Sequence, residues 1–397
     1  MRLAAAAVVV PVVRELDELE CVEDVLCAAT MPEAHLKPGI MFVGDAHRAA
    51  AGGNELQDAE VTFDSSASYG LDIADQKDNP VPDHEPLDFL RDGTGVVLYS
   101  LDTGLDCAKL VPTFANCSVD AAAASFDGAS GLLRDAHGHG TAMALIAGTL
   151  ARNASIVGIP VLGPDGHGSL VKVLYGLHRV AVIHAATWPP SVPGVVLAPL
   201  SSDTLTEHQL GDNGVPDLIS QAVDNLKLNN IVTVVSAGNG NIEACTVSPA
   251  NAKGVITVAA MLSSAKRAKF SNWGRCTSLF AGADAVAGKS AYSGTSVSAA
   301  YAAGATASVL SGTHMTAGQA SRALLKNAST FSITNSKGSP QRFVHVPRRK
   351  RPQSTRTIKR FKVAAIILIG TSVAYAAVSI LHADFQKHRA GYALLGP

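Results

Sequence analysis

Apolar runs of four to seven residues punctuate the middle of the chain, at 95–101, 155–161, 194–197, 231–236 and 255–260. They are rich in Val, Ile and Leu with little polar alternation, the pattern of strands buried on both faces. Between them lie longer stretches of helical character. Two of these, 141–150 and 297–307, are dense in alanine and apolar all round, as buried helices are. Strands alternating with helices predict βαβ units with right-handed crossovers. The expected fold is α/β, a mainly parallel twisted sheet with helices on both faces. In such sheets a ligand site lies beyond the carboxyl ends of the strands.

Outside this block the pattern changes. Residues 14–30 read as an acidic amphipathic helix followed by a short strand, and 31–66 mix Gly, Ala, His and acids without periodicity, as a linker does. Residues 330–362 are polar, Pro-containing and basic, a stalk-like composition. Residues 363–381 are nineteen without a charge. As a helix they rise about 28 Å, close to the hydrocarbon thickness of a bilayer. A C-terminal transmembrane helix is expected, a buried core helix being the alternative. Residues 1–13 carry one Arg and an apolar run, which reads either as a secretory signal or as a strand of a propeptide. No internal repeat is evident.

Composition narrows the class. Of 397 residues, 47% are hydrophobic and 16% charged, which suits one large core with appendages and excludes a disordered or coiled-coil chain. Net charge is −1, yet eight cations and no acids fall between Arg348 and Lys362, leaving 24 basic against 33 acidic side chains elsewhere. An acidic body is a poor partner for nucleic acid. The basic collar precedes the apolar segment, so the positive-inside tendency would place the body in the cytoplasm. Six cysteines (Cys21, Cys27, Cys107, Cys117, Cys245 and Cys276) are compatible with bridges and hence with an oxidising compartment, which opposes that placement.

The candidate chemistry sits in three segments in fixed order: Leu101-Asp102-Thr103-Gly104, Gly138-His139-Gly140-Thr141 and Gly294-Thr295-Ser296. An acid, an imidazole and a hydroxyl are the parts of a nucleophilic serine site. Asp102 closes an apolar run, where a buried strand ends. His139 and Ser296 open the two apolar helices, where N–H groups and the positive dipole end favour developing negative charge. Each segment alone is more often an ordinary loop; the joint order points to a serine peptidase.

With two further blocks, Tyr69-Gly70-Leu71-Asp72 and Phe270-Ser271-Asn272-Trp273-Gly274, and with Ser236-Ala237-Gly238-Asn239, the chain resembles the subtilisin-like serine peptidases, proteinase K type, over residues 69–340. The resemblance implies that Ser296 attacks the scissile carbonyl, His139 carries the proton and Asp102 holds the imidazole. It implies that Asn239 donates to the oxyanion. Gly166, His167 and Gly168 match the segment that pairs with substrate as an added strand. Leu200, Ser201 and Ser202 stand where the family has Leu-Gly-Gly, so two hydroxymethyl groups narrow the expected pocket.

The resemblance also implies a Cys245–Cys276 bridge, while Cys107 and Cys117 are near enough in sequence to pair with each other. The segment from Leu16 to Ala28 resembles the end of an inhibitory propeptide, so self-cleavage is expected between residues 55 and 68. No cofactor and no catalytic metal are required. A structural calcium is a family habit, although its aspartate is not evident near Ala260, Met261 and Leu262. The expected organisation is a degenerate propeptide and linker at 1–66, a peptidase domain at 67–340, a basic stalk at 341–362, a transmembrane helix at 363–383 and a tail at 384–397. Expected partners are polypeptide substrates and membrane lipid around the anchor, with no nucleic acid and a monomeric body. Two other classes compete: a pseudoenzyme that keeps the fold as a peptide-binding module, and a membrane tether whose tail is the working part.

Overall fold

All five predicted apolar runs form strands, and nine shorter strands join them. In chain order they are β1 (Met41–Gly44), β2 (His47–Ala50), β3 (Val97–Asp102), β4 (Asn116–Val119), β5 (Ser155–Pro160), β6 (His167–Ser169) and β7 (Gly194–Ala198). Then come β8 (Leu200–Ser202), β9 (Ile231–Ser236), β10 (Ile256–Leu262), β11 (Lys266–Arg267), β12 (Leu279–Gly282), β13 (Asp284–Ala287) and β14 (Ser290–Ser293). The longer helices are α1 (His139–Gly148), α2 (Leu170–Thr187), α3 (Leu218–Leu228), α4 (Thr295–Leu310) and α5 (Ala317–Asn327). This computed structural model describes residues 41–44, 47–50, 69–77, 89–111, 113–126, 134–202, 218–287 and 290–349. All the elements named here belong to the unit Met1–Arg348.

The main sheet runs β11-β10-β9-β7-β3-β5-β4, with β12 also on β10. Every pairing in it is parallel except β10 with β11. From β3 the chain winds first to one side, through β4 and β5, and then to the other, through β7, β9 and β10. The crevice of an open parallel sheet forms at such a reversal. Asp102, the last residue of β3, stands at it.

Side chains alternate between two cores, as the period of a strand requires. Leu98, Val195, Val232 and Val258 pack with α1 and α4 on one face. Val97, Tyr99, Val196 and Val235 pack with α2 and α3 on the other. The alanine-rich α4 is buried along nearly its whole length. Its Gly304 is required by contact rather than by backbone angle: a Cβ there would lie 2.2 Å from the carbonyl oxygen of Ala147 in α1. The two helices therefore approach backbone to backbone, and each carries one catalytic residue at its N-terminal end.

Two expectations change. Residues 31–66 are not a plain linker, because β1 and β2 within them are paired into the body. The expected stalk begins later than residue 341: Phe343, Val344 and Val346 are buried, and Val346 N donates to Ala74 O at 2.8 Å. The readings of 1–13, 14–30 and 363–383, and Cys21 and Cys27, lie outside the described residues. Among the described residues no helix is long and apolar enough to cross a membrane.

Candidate active site

The end of β3 and the start of α1 bring the acid and the imidazole together. Asp102 and His139 are almost fully buried, and His139 Nδ1 lies 2.7 Å from Asp102 Oδ1 and 2.9 Å from Oδ2. Facing a carboxylate, Nδ1 carries the hydrogen and Nε2 is the basic nitrogen of the neutral ring. Thr103 N also donates to Asp102 Oδ1, at 2.7 Å, which fixes the carboxylate plane. Ser296 is the second residue of α4, fully buried, and its Oγ donates to the carbonyl oxygen of Pro199 at 2.8 Å.

The oxyanion residue is oriented by the neighbour of the nucleophile. Asn239 Oδ1 accepts from both Thr295 N and Thr295 Oγ1, each at 3.0 Å. With the oxygen committed to Thr295, the carboxamide nitrogen is turned the other way, as a donor to developing negative charge must be. Asn272 braces the same loop: its Nδ2 donates to Ala237 O at 2.8 Å, its N to Gly238 O at 2.8 Å, and its Oδ1 accepts from Ile242 N at 3.0 Å.

The two segments matched to substrate binding, β6 and β8, lie in one three-stranded sheet. β6 and β8 both pair antiparallel with β1, which lies between them. Ser202 Oγ accepts from Ser248 N at 3.1 Å, and Ser201 Oγ lies on the side of Gly238. Both serine side chains are buried. Gly168 is small because a Cβ there would lie 2.2 Å from Val161 O, so its own loop is the close neighbour. His167 takes part through its backbone, opposite Val43, while its imidazole is exposed.

A profile of the subtilase family, Peptidase S8, matches residues 93–346 and so spans Asp102, His139, Asn239 and Ser296. The chain belongs to the subtilase family. It is 30% identical to the alkaline serine exoprotease A of Vibrio alginolyticus over 292 residues, which is 71% of this chain and 50% of that protein. It is 34% identical to a cuticle-degrading serine protease of Arthrobotrys oligospora over 232 residues, 57% of this chain and 53% of the other. The chain thus spans about half the length of these curated relatives. Among solved structures, a cold-adapted subtilisin-like serine proteinase superposes with a TM-score of 0.58 at 28% identity, covering 71% of this chain and 98% of that one.

One residue of this subtilase site escaped sequence reasoning. Asp135 Oδ1 accepts from Thr103 Oγ1 at 2.8 Å and from Gly138 N at 2.7 Å. Its Oδ2 accepts from Thr141 N at 2.7 Å and from Thr141 Oγ1 at 2.6 Å. The carboxylate therefore ties the end of β3 to the N-terminus of α1, where the helix dipole favours it. An acid four residues before His139 was the available signal.

Among the described residues two bridges are present, Cys107–Cys117 and Cys245–Cys276, with Cα separations of 5.5 and 5.2 Å. The second joins the segment after the Asn239 loop to the segment after Asn272. Where calcium was considered, near Ala260 to Leu262, the residues do not fit an ion. Arg267, paired with Met261, is buried there and donates to the carbonyls of Ala268, Ser271 and Asn335. A guanidinium already engages those oxygens. Among the described residues no cluster of three or more His, Cys, Asp or Glu is placed to hold a metal.

Proposed function

We propose that this subtilase is a serine endopeptidase that hydrolyses peptide bonds in proteins. Ser296 Oγ, turned about its Cα–Cβ bond towards His139, attacks the carbonyl carbon while Nε2 takes its proton. Asn239 and the Ser296 N–H stabilise the oxyanion, the C–N bond breaks, and His139 passes the proton to the leaving amine. Water then hydrolyses the ester with the same imidazole as base. The chemistry needs no cofactor. The observation that carries this reading is the His139–Asp102 pair, whose carboxylate favours the tautomer that a general base requires. A pseudoenzyme would have no physical need of that pair together with the braced Asn239.

The remaining parts of the reading come from the sequence and the bridges. The disulfides favour an oxidising, extracytoplasmic compartment, and a relative from Thermus is called an extracellular serine proteinase. The uncharged run at 363–381 favours single-pass anchoring to a membrane, and the propeptide-like segment favours synthesis as a self-cleaving precursor.

Fluorophosphonate labelling of the full chain beside Ser296→Ala tests the chemistry. Label on the wild type alone supports an enzyme, and a folded wild type that takes no label would leave the binding-module reading. Carbonate extraction of membranes, with and without residues 363–381, tests the anchor: release of the intact chain into the wash would remove it.

A further inference from the structure

Three stretches of the chain have the form Asn-X-Ser with X other than Pro: Asn116-Cys117-Ser118, Asn153-Ala154-Ser155 and Asn327-Ala328-Ser329. This is the acceptor pattern for an N-linked glycan, which calls for an asparagine on a surface loop of a secreted protein. All three asparagines are exposed, but their settings differ. Asn116 opens β4, its Nδ2 donates to Ser155 Oγ at 3.4 Å, and its neighbour Cys117 is bridged to Cys107. Asn327 ends α5, and its Ser329 is fully buried, with Oγ donating to Gln76 O at 2.7 Å. Of the three, only Asn153 lies on a turn, between α1 and β5.

That turn presents the amide in one orientation. Asn153 N donates to Asp92 O at 2.9 Å, and Asn153 Nδ2 donates to Asp92 Oδ2 at 2.8 Å. The side-chain bond uses one of the two Nδ2 hydrogens. A sugar on Nδ2 takes the place of the other and leaves the bond to Asp92 intact. The turn is also remote from the catalytic residues. Ser155 begins β5 opposite Val97, and Pro160 ends it opposite Asp102. The strand between those ends rises about 17 Å, and Asn153 lies beyond its far end. A glycan there stands at the amino ends of the parallel strands, whereas the acid and the base meet at the carboxyl ends.

We propose that Asn153 carries an N-linked glycan. The inference rests on the extracytoplasmic placement that the disulfides favour, and it sets the body opposite to the side that the basic collar favours. The donor is a lipid-linked oligosaccharide pyrophosphate. Nδ2 bonds to the anomeric carbon of the first sugar and loses one proton. The bond from that carbon to the pyrophosphate oxygen breaks, and the lipid pyrophosphate leaves with the electron pair.

The test expresses the full-length chain in a eukaryotic secretory host. Peptide N-glycosidase in heavy-oxygen water turns each glycosylated asparagine into a labelled aspartate, which peptide mass spectrometry locates. The label should fall on residue 153. Ser155→Ala should abolish it, and Ser155→Thr, which keeps the acceptor pattern, should retain it; circular dichroism checks that both variants are folded. An unlabelled residue 153 in the wild type, or undiminished label there in Ser155→Ala, overturns the assignment. Alkylation of free thiols separates the two failures. Bridged Cys107 and Cys117 without a sugar at Asn153 refute only the site, whereas free thiols and no sugar anywhere refute the extracytoplasmic placement as well.

Discussion

The hydroxyl of Ser296 donates to the carbonyl of Pro199 at 2.8 Å, and that carbonyl is the next acceptor along the wall on which β1 lies. A peptide N–H that reaches Pro199 O would meet an oxygen already engaged by the Ser296 hydroxyl.

Ser296→Ala should abolish hydrolysis, by on the order of 10⁴-fold or more. It should also bind a non-cleaved peptide at least as tightly as the wild type, since Pro199 O no longer has a hydroxyl partner. Calorimetry with the wild type and Ser296→Ala, residues 1–50 removed from both, checks this. Markedly weaker binding by the alanine variant would contradict the expectation.

Thr295 is a positioning residue acting through Asn239. Asn239→Ala should lower kcat by about 10²–10³-fold with little change in KM, the usual cost of losing one oxyanion donor. Thr295→Val removes one of the two hydrogen bonds to Asn239 Oδ1 and the acceptor of Gly238 N. A loss of about 1–2 kcal/mol, roughly tenfold in kcat, is expected. Thr295→Ser, which keeps the hydroxyl, should restore it; equal defects in Val and Ser would point to packing instead.

Asp135→Asn replaces one of the two acceptor oxygens by an NH₂, which then faces two donors. It should destabilise the fold by about 2 kcal/mol, read as a lower urea midpoint, and should depress kcat because Thr103 and the start of α1 are released together. Asp135→Glu, with the charge kept but the reach altered, should be intermediate. A urea midpoint equal to the wild type in both would show the carboxylate to be dispensable.

Acid should weaken the fold before it touches any carboxylate. His184 is buried, with Nδ1 accepting from Tyr99 Oη at 2.9 Å and Nε2 donating to Val192 O at 3.0 Å. Burial holds its pKa below the usual 6.5, with the Val192 bond opposing, and burial beside Arg179 does the same for His178. Above 6.5 both rings are neutral in folded and unfolded chains alike, and the contribution is complete. As pH falls below 6.5 the unfolded chain takes up protons that the fold resists, so stability declines. Urea midpoints measured from pH 8 to pH 5 should fall most below 6.5, with a shallower slope in His184→Gln. A flat profile would mean that the pocket admits the charged ring.

The sheet was legible because buried parallel strands are written as nearly unbroken apolar runs, and 231–236 coincides with β9 to the residue. The dyad, the nucleophile and Asn239 were legible because their neighbours must be small or hydroxylic. Pro199 was not, since any residue offers a carbonyl and only the fold decides which one meets Ser296. Asp135 was within reach as an acid at a helix start, but nothing local says that it also ties down Thr103. The strand at 41–44 is the clearest miss. Its apolar Met41, Phe42 and Val43 were visible, yet their partners lie more than a hundred residues away, and backbone pairing leaves no mark on composition.

The contact of Gly304 with Ala147 also sets a timetable. The base and its carboxylate leave the ribosome long before α4, and α4 carries both the nucleophile and the alanine face against which α1 packs. Until that late helix is translated and docked, the nascent chain has an acid and an imidazole but nothing to attack with and no finished core to hold them. A chain truncated before α4 would thus hold the base and its carboxylate but lack the nucleophile.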